Sequence, residues 1–240
     1  LDTLRDTGID WTMGLTGGEP FLYPEFVELC KTITQAYRIS IDTNLSMPSL
    51  VKEFSEAIDP RKVDYVYAST HVLERERRNG LDDFLDNVLL LRNKDFKIIV
   101  NYVFHPLVFD RFEGDYELFK SKGIRLEPKA LKGEYEGKVY PKAYSSREKR
   151  LLLKHNPMAD RAAPFVSKGL KCNAGKRFAL LKMDGTVVRC TADKTELGSI
   201  FRGLHLNQSA EPCSVSVCPC NGQQLIVESE KVEIRKRILF

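Results

Sequence analysis

The sequence is short of several things, and each shortage narrows what it can be. No apolar run approaches the ~20 residues that a membrane span requires. Residues 1–8 are polar and of mixed charge, unlike a secretory signal. Six cysteines without such a signal argue against a disulfide framework and for a cytoplasmic setting. Net charge is only +4, from 37 basic and 33 acidic residues. The basic clusters Arg147, Lys149, Arg150, Lys154 and Arg235, Lys236, Arg237 have no interleaved aromatics, so they read as solvated faces. Neither a nucleic-acid partner nor a membrane is expected. There is no internal repeat, no low-complexity tract and no initiating Met, and the chain reads as a segment of a larger protein.

What is present is an alternation. Short β-prone strings at 11–15, 39–42, 63–68, 97–104 and 124–127 are separated by amphipathic helical patterns. Between 25 and 37, Phe26, Leu29, Cys30, Ile33 and Tyr37 recur at helical spacing, which makes Cys30 a buried core thiol. Further helices are predicted from a Ser46 cap with Pro48 in the first turn, over 81–92, and over 111–122 with Gly123 as the stop. Strands alternating with helices pair in parallel through right-handed crossovers, which gives an α/β fold. From 129 to 169 the alternation breaks into a Gly- and Pro-punctuated linker with one helix, 146–155. A hairpin is expected beyond it, 177–183 with 186–189, turning at Asp184-Gly185.

Two motifs carry chemistry. Gly17-Gly18-Glu19-Pro20 follows the first strand directly and precedes a helix. Paired glycines let a backbone come close to a ligand, and carboxyl ends of parallel strands are where α/β sheets bind ligands. The cysteines are skewed, one in the first 171 residues and five in the last 69. Cys172 and Cys190 fall near the two ends of the expected hairpin, and Cys213, Cys218 and Cys220 return from a later loop. Together they suit a thiolate cage for an iron–sulfur cluster. Structural zinc suits the same ligands. On spacing, Cys213 is the most expendable.

These residues resemble the radical S-adenosylmethionine (SAM) enzymes, and the resemblance covers residues 1 to about 128. It implies a partial (β/α)6 barrel lacking its first strand, in which the backbone of Gly17, Gly18, Glu19 and Pro20 binds the SAM amino group. It also implies that Asn44 and Ser69 with His71, at the tips after the second and third strands, and Asn101, within the fourth, serve the rest of SAM. Cys172-x12-Gly185-x4-Cys190 with Cys213, Cys218 and Cys220 looks like a twitch domain, the shorter relative of SPASM, around an auxiliary [4Fe–4S] cluster. The family's Cys-x3-Cys-x2-Cys triplet is missing from the chain. A second, SAM-cleaving [4Fe–4S] cluster is therefore expected from upstream residues, and the 240 residues alone should be inactive.

The resulting expectation has three parts: barrel, 1–128; linker, 129–169; cysteine-rich hairpin domain, 170–240. The whole protein is expected to use a 5′-deoxyadenosyl radical for hydrogen abstraction. Its auxiliary cluster would carry electrons in an oxidation or bond-forming modification of a peptide or small molecule, with flavodoxin or ferredoxin as donor. The alternative is a non-catalytic iron–sulfur or zinc module derived from the same fold. Because the hairpin is too small to own a core, metal is expected to supply much of that region's folding free energy.

Overall fold

The computed structural model describes residues 1–157, 159, 165–218 and 237–239. The first stretch runs α1 Asp2–Arg5, β1 Thr12–Leu15, α2 Phe26–Thr34, β2 Arg38–Thr43, α3 Pro48–Ala57, β3 Val63–Ser69 and α4 Val72–Arg77. It continues with α5 Leu81–Asn93, β4 Ile98–Phe104, α6 Phe112–Ser121, β5 Leu126–Ala130, β6 Gly133–Tyr135, β7 Lys138–Tyr140 and α7 Ser146–His155. The later strands among the described residues are short: β8 Phe165–Val166, β9 Lys171–Cys172, β10 Phe178–Leu181, β11 Thr186–Val188 and β12 Glu196–Ser199. They end with β13 Gly203–Leu204, β14 Glu211–Pro212, β15 Val217–Cys218 and β16 Arg237–Leu239. Strands β1 to β5 alternate with helices, as the sequence pattern requires for a partial (β/α) barrel.

The chain forms two compact units that interleave in sequence rather than following it in blocks. The first comprises residues 1–18, 29–40 and 164–240. Its strands stand in the order β13-β12-β11-β10-β16-β1, with β16 parallel to both neighbours and β10 to β13 an antiparallel meander. The Asp184-Gly185 turn forms as expected: Gly185 has φ 81 and Asp184 Oδ1 accepts the Thr186 N–H at 2.9 Å. Trp11 is buried, its indole N–H donating to Thr7 Oγ1 at 3.0 Å. Cys30 is fully buried and burial pushes its thiol up to about 12, as befits a core residue. Leu29 departs from expectation. Placed on the same apolar stripe, it is 39% exposed, because the buried face of α2 is turned toward Val27 and leaves Leu29 outside its edge.

The second unit comprises residues 19–28 and 41–163. Here β3, β4 and β5 pair in parallel and in register, Ser69 beside Asn101 and Asn101 beside Glu127. Alternation sends Val66, Ala68, Val100, Tyr102 and Leu126 into the core beneath the helices. Phe21, Phe26, Phe54 and Phe96 pack there in tilted, edge and stacked contacts of 4.7 to 6.3 Å. The Tyr102 hydroxyl donates to Asp115 Oδ2 at 2.5 Å, so a buried phenol leaves no polar atom unpaired.

Three boundaries differ from the sequence reading. The fifth strand is 126–130 rather than 124–127, and Pro128 lies inside it. Within this unit β5 is the last strand in the order, where a proline's missing N–H breaks no ladder bond on the open side. Residues 133–140 form the β6–β7 hairpin inside the expected linker. Ser46 does not cap α3; the cap position is Met47, without a side-chain bond. The expected helix at 146–155 forms with a capping box between Ser145 and Glu148.

Candidate functional site

The Gly-Gly-Glu-Pro turn begins one residue after β1. Gly17 has φ 138, within the range that favours glycine. Gly18 is not left-handed, and a Cβ built on it meets no atom within 4 Å, so its lack of a side chain answers no internal packing need. Pro20 opens a short 3-10 turn, Pro20–Leu22. The Glu19 carboxylate is fully engaged by the protein: Oε1 accepts the Phe21 N–H at 3.2 Å and the Thr43 hydroxyl at 2.5 Å, while Oε2 accepts the Asn44 N–H at 2.6 Å. Glu19 thus braces the end of β2 with its side chain.

The tip after β2 is a closed network. Thr43 Oγ1 accepts the Leu45 N–H at 2.9 Å, Asn87 Nδ2 donates to the Leu45 carbonyl at 3.1 Å, and Asn44 Oδ1 accepts the Ser46 N–H at 2.8 Å. Leu45, bulky and buried, is held at φ 53. After β3 the Thr70 hydroxyl and N–H both reach the Asn101 carbonyl, at 2.5 and 2.9 Å. His71 follows at φ 45, its pKa lowered by desolvation and then by the Arg75 charge.

Register places Ser69, Asn101 and Glu127 in one row across β3, β4 and β5, on the face opposite the helices. Asn101 is only 7% exposed, and its Oδ1 has no hydrogen-bond partner among the described residues. An unpaired buried acceptor costs about 1–3 kcal/mol, which a ligand hydroxyl or N–H offsets. One step further along β5, Lys129 Nζ lies 4.3 Å from the Tyr67 ring centroid. Its pKa is lowered by desolvation, against the opposing charges of Asp42 and Glu127. The predicted residues Glu19, Asn44, Ser69, His71 and Asn101 therefore all lie in one unit, Asn44, Ser69 and His71 at strand ends and Asn101 in the middle of β4. Glu127, Lys129 and Arg75 were not singled out from the sequence.

The cysteines lie in the other unit. Cys172, on β9, is buried against Ala174 and Phe178, and both Cys190 and Cys213 pack on that cluster. Cys213, the expendable residue on spacing, is thus brought to Cys172 and Cys190. The Ala174 N–H donates to Cys172 Sγ at 3.4 Å and the Asp193 N–H to Cys190 Sγ at 3.1 Å. Burial raises the Cys172 thiol pKa. Cys218 is buried on β15, paired in the strand with Phe165. Cys220 lies outside the described residues. Among the described residues no three His, Cys, Asp or Glu side chains converge as ligands of a single metal ion.

Arg189 organises this region. Its Nε donates to Ala174 O at 3.1 Å, its Nη2 to Glu211 O and Pro212 O at 3.0 Å each, and its Nη1 to Asp193 Oδ2 at 2.9 Å. Burial alone would raise the Asp193 pKa. Hydrogen bonds from Ser214, Thr195 and Arg189 outweigh it and hold the carboxyl below the ordinary carboxylate range. The segments bearing Cys172, Cys190 and Cys213 are therefore tied together by one guanidinium.

Residues 1–119 match the family model of the Radical SAM superfamily. Among solved structures, native anSMEcpe with bound AdoMet and Kp18Cys peptide is 19% identical at a TM-score of 0.53, covering 80% of this chain and 65% of that one. The form with bound AdoMet and Cp18Cys peptide is 18% identical at a TM-score of 0.54, with the same coverage. The chain thus spans less than two thirds of the length of these relatives in fold. No curated protein sequence is significantly similar to it.

Proposed function

The chain belongs to the radical SAM superfamily through residues 1–119, and from that premise we propose that it is part of an enzyme that binds SAM at the Gly17–Pro20 turn, at Ser69 and at Asn101. The observation that carries this reading is the buried, unpaired Asn101 Oδ1 in a row with Ser69 and Glu127. That row presents a hydroxyl, an amide and a carboxylate to one ligand, a set suited to the hydroxyls and amine of a nucleoside. Gly18 leaves open space at the backbone for the amino-acid end. Glu19 acts by holding the tip after β2 in place.

When bound, SAM and its cleaving cluster supply a carbon-centred radical that removes hydrogen from a substrate. The protein's part is to hold and orient the reactants. A peptide is the proposed substrate class, since one solved protein of like fold, anSMEcpe, is described with two different bound peptides. Lys129 and Asp42 would offer it one charge of each sign. We propose Cys172, Cys190 and Cys213, with Cys218 or Cys220, as ligands of an auxiliary [4Fe–4S] cluster. The fit rests on three thiols in one packed cluster and on backbone N–H groups donating to two of the sulfurs, a contact that stabilises thiolates. With four cysteine ligands such a cluster serves electron transfer, fed by a flavodoxin or ferredoxin. The 240 residues themselves carry no Cys-x3-Cys-x2-Cys triplet for the SAM-cleaving cluster.

The test is calorimetric SAM binding by the full-length protein and its Gly18→Val variant. Open space at Gly18 means the variant folds, while the added side chain blocks close approach. Unchanged affinity in a folded Gly18→Val protein would contradict the proposed site.

A further inference from the structure

Arg75 sits on α4 inside a run of charged residues, Glu74 to Arg78, yet it is half-buried and turned back onto the strand ends. Its Nε donates to the Thr70 carbonyl at 2.5 Å. Its Nη2 donates to the Asn44 carbonyl, and at 3.4 Å to the Ser69 carbonyl. The guanidinium lies 4.1 Å over the Phe84 ring, which caps its remaining face. Desolvation lowers its pKa to about 10, with Glu19 as the opposing charge.

The carbonyls it holds have a particular place. A peptide plane that is tied at its oxygen fixes φ of the residue that follows. Leu45 follows Asn44 and His71 follows Thr70, and these are the two left-handed non-glycine residues of the two tips, at φ 53 and φ 45. One side chain thus reaches the carbonyl ahead of each unfavourable backbone turn and joins the tip after β2 to the tip after β3.

We infer that Arg75 is the positioning residue of the proposed SAM site, locking both tips in the arrangement that presents Asn44, Ser69 and His71. The inference rests on the SAM reading above, and it assigns Arg75 no contact with the ligand. Lysine would substitute only in part, because an ammonium lacks the planar fork that reaches three carbonyls in two directions.

The experiment compares SAM affinity, by calorimetry, of anaerobically purified full-length wild type, Arg75→Met, Arg75→Lys and Arg92→Met. Arg92 is the matched control: its Nη1 ties the carbonyls of Lys122 and Gly123, both at 2.9 Å, away from the strand ends. The expected result is an affinity loss of about tenfold or more in Arg75→Met and a smaller loss in Arg75→Lys. Arg92→Met should stay within about twofold of wild type. Folded Arg75→Met with wild-type affinity overturns the inference, as does an equal loss in Arg92→Met. Should Arg75→Met fail to fold, Arg75→Lys is judged by the same comparison with Arg92→Met. A wild-type protein that binds no SAM overturns the SAM reading itself, which is a separate outcome.

Discussion

Glu19 and Asn44, 25 positions apart, are joined by the Asn44 N–H donating to Glu19 Oε2 at 2.6 Å. The same carboxylate takes the Thr43 hydroxyl and the Phe21 N–H, so three donors depend on one side chain. Charged acceptors make hydrogen bonds worth about 1.5–3 kcal/mol each, though losses within one network do not add. Glu19→Ala should therefore destabilise the protein by roughly 2–4 kcal/mol. Urea denaturation measures it, and a loss under about 0.5 kcal/mol would show that the brace contributes little.

Asn101 should behave in the opposite sense. Its unpaired Oδ1 is a cost to the fold, so Asn101→Leu is expected to raise stability by about 1 kcal/mol while weakening SAM binding. Thermal melting and calorimetry on the same sample check both. A destabilised variant with intact SAM binding would reverse the assignment.

Iron and sulfide analysis of single Cys→Ala variants separates ligands from spectators. Cys172→Ala, Cys190→Ala and Cys213→Ala should lose the auxiliary cluster. Cys30→Ala should keep it and lose about 1 kcal/mol of core packing. Full iron in Cys213→Ala would return that residue to the role its spacing suggested. Colourless protein with one tight zinc would replace the iron–sulfur assignment.

Asp193 makes the first unit acid-sensitive. Its folded pKa lies below the ordinary carboxylate value, so its contribution to stability is complete above about pH 4 and is lost as pH falls through the lower folded value. Asp193→Asn should therefore reduce stability at pH 7 and flatten the decline below pH 4. Denaturation curves at pH 7 and pH 3 test this. An unchanged acid slope would mean that other carboxylates set it.

Local patterns made much of this legible. Gly17–Pro20, the Asp184-Gly185 turn and the five alternating strands each declare themselves within a few residues, because turn chemistry and periodicity are local properties. Arg75 did not. It stands in Glu74-Arg75-Glu76-Arg77-Arg78, which reads as a solvated helix face, and only the chain's return to Asn44 and Ser69 reveals its use. Pro128 hid the end of β5, since a proline argues against a strand until that strand is known to lie at an edge. Cys213 is a similar case: spacing along the chain made it the most expendable of the thiols, and only the fold shows residue 213 packed beside Cys172.

A cage tied by Arg189 differs in kind from a zinc-finger loop that collapses when its metal leaves. Its walls rest on three backbone carbonyls and on Asp193, all of them the protein's own groups. For the proposed cluster, folding and loading would then be separate events, against the expectation that metal supplies much of this region's folding free energy. The chain can fold first and receive its iron and sulfide afterwards, and a cluster destroyed by oxygen can be rebuilt in the same molecule without passing through the unfolded state.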